Sequence, residues 1–154
     1  MVYYCRFCQI NHEESTSIGK LHVDYKGELL EGLNFDQFTG TEHFHHQPIA
    51  GIPDGLIYTD GVKYLAEKTG SYWLIDLAGS YQHEERFRQQ PFQVWILTVD
   101  QQNHTAIVRA EDGNGNVIAT QKIPYTDFPL PEFKLYLVIN EDYRGVTLML
   151  PSEY

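Results

Sequence analysis

The chain is poor in cysteine, in basic residues and in long apolar runs. Each shortage removes a class of protein. Two cysteines, Cys5 and Cys8, in 154 residues are too few to staple a disulfide-rich secreted scaffold. The 11 Lys and Arg residues stand against 21 Asp and Glu residues, for a net charge of -10. Affinity for DNA or RNA rests largely on cations that displace counterions from phosphates, so direct nucleic-acid binding is not expected. The same deficit speaks against anionic membrane surfaces. No apolar run approaches the ~20 residues that a membrane-spanning helix needs. The opening Met1-Val2-Tyr3-Tyr4-Cys5-Arg6 lacks a basic stretch followed by an apolar one. No signal peptide is therefore expected, and the expected location is cytoplasmic.

What is present fits one globular domain. Hydrophobic residues make up 42% of the chain, and there are 11 Tyr and 8 Phe. That composition can build a core and is unlike a disordered segment. The expected organisation is a single domain over 1–154, with 1–32 as an N-terminal extension that carries the Cys-x-x-Cys and 33–154 as the core.

The first half reads mainly as helical. Leu29, Leu30, Leu33 and Phe38 allow a short helix within Gly27 to Phe38. Thr41 to Gln47 can form a short strand, Ile52-Pro53-Asp54-Gly55 reads as a turn, and Leu56-Ile57-Tyr58 as a brief apolar strand. Thr59 or Asp60 suits the N-cap of a helix that buries Val62, Leu65 and Ala66, with Gly70 ending it. Ser71 can cap a second helix that runs to about His83, and Pro91 closes the polar stretch behind it.

After Pro91 the period changes from helix to strand. Phe92–Val99, Thr105–Ala110, Val117–Ile123, Phe133–Ile139 and Val146–Leu150 are β-branched or alternating. Asp112-Gly113-Asn114-Gly115 is a strong hairpin signal. The predicted fold is α+β: about five strands of antiparallel meander in the C-terminal half, packed against two or three helices from the N-terminal half.

Three groups of residues can carry chemistry. Cys5 and Cys8 have a spacing that places two thiolates on one tetrahedral zinc, and His12 and His22 could complete a Cys2His2 set. The pair is only half a zinc signature, and two reduced, unliganded thiols are the plainer reading. In Glu42-His43-Phe44-His45-His46, His43 and His45 share a face if the segment is a strand, as a metal enzyme using His43, His45 and His46 would need. No carboxylate partner stands at a fixed spacing from them, and solvated histidines on an edge strand are the plainer reading. Asp60, Lys63, Tyr64, Trp73 and Asp76 could line a ligand pocket or a partner surface. Alternatively they divide into a cap, an exposed helix face and core aromatics. Neither a nucleophile elbow, nor a phosphate-binding Gly-x-x-x-x-Gly-Lys loop, nor a His-Glu-x-x-His helix occurs.

Several blocks resemble a family of small uncharacterised prokaryotic proteins, often carried on plasmids and phages and recorded as a domain of unknown function. The blocks are Phe38-Thr39-Gly40-Thr41-Glu42, LIYTDGVKYLAEKTGSYWLID over 56–76, Phe92-Gln93-Val94-Trp95, the segment from Pro124 to Glu132, and Leu150-Pro151-Ser152-Glu153-Tyr154. The resemblance spans roughly 33–154 and brings no assigned activity. It implies that the core is the shared part and that any zinc in 1–32 is an addition to it. Together with the charge, it leads to the expectation of a non-enzymatic interaction or regulatory protein of a mobile or accessory gene set. Its expected partner is a protein, in one version a nucleic-acid-binding system that it inhibits.

Overall fold

The computed structural model describes residues 2–5, 10–13, 33–142 and 144–154, with side chains from 33 onward. Near the N-terminus β1 (Val2–Cys5) and β2 (Ile10–Glu13) form a two-stranded antiparallel sheet. The main sheet has seven strands: β3 (Phe44–Ile49), β4 (Ile52–Thr59), β5 (Phe92–Asp100), β6 (Thr105–Asp112), β7 (Val117–Ile123), β8 (Glu132–Ile139) and β9 (Gly145–Met149). Their spatial order is β3-β4-β9-β8-β5-β6-β7. Between β4 and β5 lie α1 (Asp60–Thr69), α2 (Tyr72–Ser80), a 3-10 turn at Tyr81–His83 and the short α3 (Glu85–Arg88). No helix among the described residues is long and apolar enough to cross a membrane.

The fold is α+β, as the sequence predicts, but the sheet is not a five-stranded meander. Two strands from the first half join it, and β4 runs parallel to β9. Only β5, β6 and β7 meander in order. The chain then crosses from β7 to the far side of β5, through a segment with Pro124, Pro129 and Pro131 that cannot extend the ladder. The backbone of Thr126 donates to His104 on the way, and that of Val99 to Pro131.

The Ile52-Pro53-Asp54-Gly55 segment, expected as a turn, is the start of β4. The reversal comes earlier, at Ala50 and Gly51. The β3–β4 ladder shifts register between Gln47 and Ile49, which accommodates Pro48 and Pro53 where no ladder hydrogen bond is needed. Gly55 takes φ +63°, and a Cβ there would lie 2.5 Å from the Gln47 carbonyl oxygen. Residues 33–38 form a turn rather than a helix, and 27–32 lie outside the described residues.

The first helix is bounded as its residues dictate. The Thr59 hydroxyl accepts from the Val62 N–H, and Gly70 closes the helix at φ +66°. Ser71 precedes α2 but does not cap it with its side chain; its hydroxyl meets that of Thr69 at 2.6 Å. The expected second helix stops at Ser80 and tightens into the 3-10 turn. Alternation puts Gln93, Trp95, Leu97 and Val99 of β5 on one face. There Trp95, Leu97 and Val99, with Leu135, Leu137, Val146 and Leu148, join Val62, Leu65, Leu74, Ile75, Ala78 and Phe87 in one core.

Candidate functional site

The β3–β4 hairpin and the start of α1 bring two separate sequence candidates together around one carboxylate. Asp60 is the first residue of α1, directly after the cap. Its Oδ2 accepts from the backbone N–H groups of Glu42 and His43, each at 3.1 Å. Its Oδ1 lies 2.8 Å from His45 Nε2. A carboxylate only accepts, so this His45 nitrogen carries the proton. His43 Nδ1 stands 3.9 Å away. Thr41 completes the arrangement by accepting from the Asp60 N–H at 3.0 Å and donating to the His43 carbonyl at 2.6 Å.

The His45 hydrogen bond and the two backbone donors hold the Asp60 carboxyl down at about 2, from an ordinary 3.8. A group with a lowered folded-state value stabilises the fold above its unfolded value and loses that contribution as pH falls. The contribution of Asp60 is therefore complete above about pH 4 and fades toward pH 2. Asp100 and Asp112 are also lowered, chiefly by the side chains of Asn103 and Asn116. Comparing urea midpoints of wild type and Asp60→Asn between pH 5 and pH 2 isolates Asp60. The gap between them should narrow as the pH falls; a constant gap would refute this account.

Beside Asp60 the surface is aromatic and acidic. The Tyr58 ring lies 5.4 Å from that of His45. Tyr72, at the start of α2 and 41% exposed, has its hydroxyl pushed up by burial, then by the neighbouring Glu67 charge and by Tyr58. Glu67 pairs across one turn with Lys63 at 3.7 Å. Gln47 of β3 donates its amide to Asp76 of α2, which ties the edge strand to that helix.

The five residues proposed from sequence as a surface therefore separate. Asp60, Lys63 and Asp76 belong to this side of the molecule. Tyr64 turns elsewhere: its ring packs against Phe35 at 5.6 Å and Phe38 at 5.0 Å, and its hydroxyl accepts from the Asn34 N–H. Trp73 is partly buried against the core. His45 joins them from the histidine segment. Tyr58, Glu67 and Tyr72 are the members that spacing did not reveal, and their one sequence signal is the density of Tyr and acid in 56–76.

The rings of the histidine segment turn to different protein partners. His45 and His43 address Asp60, while His46 Nε2 lies 2.8 Å from the Asp54 carbonyl. Among the described residues no group of three His, Cys, Asp or Glu side chains is placed to hold a metal. Of the proposed zinc residues, Cys8 and His22 lie outside the described residues. Cys5 ends β1 and His12 lies in β2, paired with Tyr3.

Comparison with known proteins adds kinship without activity. A family of unknown function (DUF6876) matches residues 31–154. No curated protein matches. A solved structure of a protein of unknown function from Enterococcus faecalis is similar at 16% sequence identity and a TM-score of 0.46, over 65% of this chain and 90% of that one.

Proposed function

The chain belongs to that family of unknown function, and from this premise we propose that it is a non-enzymatic interaction protein. Its protein partner docks a basic face on the surface formed by β3, β4, α1 and α2. The observation that carries this reading is the surface of His45, Tyr58, Asp60, Glu67 and Tyr72. It sets two tyrosine rings among carboxylates in a chain of net charge -10. Tyrosines beside carboxylates suit Arg and Lys side chains, through cation–π contact and ion pairing. A nucleic-acid-binding protein has such a basic face, so inhibition of one is the regulatory version of the reading. Asp60 already accepts three hydrogen bonds, which suits a rigid docking element better than a proton carrier.

The test uses the whole protein as bait against cellular proteins, with binding measured over a salt series. A partner of the expected kind binds less as ionic strength rises. Tyr72→Ala should weaken it by about 2 kcal/mol, as at an interface hot spot, and Glu67→Lys should weaken it through repulsion. Binding that ignores salt and both substitutions would refute the docking surface.

A further inference from the structure

The molecule also has a cleft of about 240 Å³ at the other end of the helical layer, away from the Asp60 surface. Ile52 and Pro53 of β4, Ile139 of β8 and Val146 of β9 supply apolar walls, with Gln82 and Arg88 completing the lining. The volume exceeds the ~150 Å³ that suffices for a benzene ring and falls short of the ~300 Å³ at which sites for drug-sized molecules begin. Gln82 is buried, and its amide is fully engaged with Gln93 and the Ala78 carbonyl. It offers a ligand a fixed polar wall rather than a free hydrogen bond.

Arg88 is the distinctive group. Three other arginines are each held by a carboxylate: Arg86 by Glu84 at 2.6 Å, Arg109 by Glu111 at 2.8 Å and Arg144 by Asp54 at 3.1 Å. Among the described residues Arg88 has no such partner, in a chain where acids outnumber bases almost two to one. It is the last residue of α3, so its backbone is fixed by bonds from Arg88 to Glu84 and from Gln90 to Phe87. A guanidinium presents a planar fork that matches a carboxylate through two parallel hydrogen bonds.

We propose that this cleft binds a small carboxylic acid with a compact apolar body. The carboxylate pairs with Arg88, and the hydrocarbon part lies between Ile52, Pro53, Ile139 and Val146. The site is independent of the partner surface, and the proposal stands whether or not that surface is confirmed.

The experiment titrates the intact protein with benzoate and with 3-methylbutanoate. It follows the methyl NMR signals of Ile52, Ile139 and Val146 together with the melting temperature. Both probes should move those signals saturably and raise the melting temperature with concentration. Benzamide, which keeps the shape and lacks the charge, should bind at least about tenfold more weakly. Arg88→Gln, at an exposed position, should fold normally and lose at least about tenfold in affinity, and Arg88→Lys should recover part of it. Phenyl phosphate binding more tightly than benzoate would replace the carboxylate with a phosphate ester and overturn the ligand class. Failure of every probe to move the three signals, or equal binding by wild type and Arg88→Gln, would overturn the site itself.

Discussion

Phe87→Ala should destabilise the protein by about 3–5 kcal/mol, the range for emptying a buried aromatic position. Phe87 is fully buried. Its ring stacks on Trp95 at 5.7 Å, meets Tyr81 at 5.2 Å and is covered by the Arg86 guanidinium at 5.4 Å. It is also the only buried residue of a four-residue helix. So short a helix cannot hold itself together in water and depends on that anchor. The substitution should therefore show twice: in a lower urea midpoint, and in faster hydrogen exchange at Gln89 and Gln90, whose N–H groups close α3. Phe87→Leu keeps most of the apolar contact and should cost far less. A loss below about 1 kcal/mol for the alanine variant would mean that the surroundings collapse onto the gap.

The second large effect is expected at Gln93, a polar residue with no exposed surface. Its Nε2 donates to Gln82 Oε1 at 3.0 Å and to the carbonyls of Phe87 and Gln90. Its Oε1 accepts from Gln82 Nε2 at 3.0 Å and from the Trp95 indole at 3.1 Å. Gln93→Leu keeps the approximate volume but strips the acceptor from Trp95 and the donor from Gln82. Each buried group left unpaired costs about 1–3 kcal/mol, so the variant should lose about 2–5 kcal/mol. Gln82→Leu combined with Gln93→Leu should lose less than the sum of the single changes, by about 1–2 kcal/mol, because neither glutamine then strands the other. Additive losses in that cycle would mean that the two amides do not act as a pair.

Several elements could be read directly from residues because their causes are local. Thr59 before α1, Gly70 after it and the Asp-Gly-Asn-Gly hairpin each act within a few residues of themselves. The alternation from Phe133 to Ile139 identifies a strand and its buried face. It does not identify neighbours, so the position of β8 beside β5 rather than β7 stayed hidden. β4 was obscured for a different reason: its first residues include Pro53 and Gly55, turn formers by composition, and the register shift that tolerates them depends on β3. The site followed the same division. Asp60 was a cap candidate and His45 a candidate ligand, each from its own surroundings. Their 2.8 Å contact joins residues 15 positions apart, and nothing in either segment encodes that meeting. Tyr64 and Trp73 share the aromatic density of their segment with Tyr58 and Tyr72, and only packing separates the core members from the surface ones.

The parallel pairing of β4 with β9 has a consequence for how the chain is made. Leu56 meets Val146 across that ladder, so the ribosome must synthesise about ninety residues between the first partner and the second. Until β9 emerges, the β3–β4 hairpin and the β5–β8 sheet each present an open flank, and neither can dock on the other through main-chain bonds. Contacts of such long range form late and slowly, after the loop-closure entropy has been met. A stalled or truncated translation product lacking β9 would thus carry two unsatisfied strand edges, the kind of surface that recruits chaperones or other nascent chains.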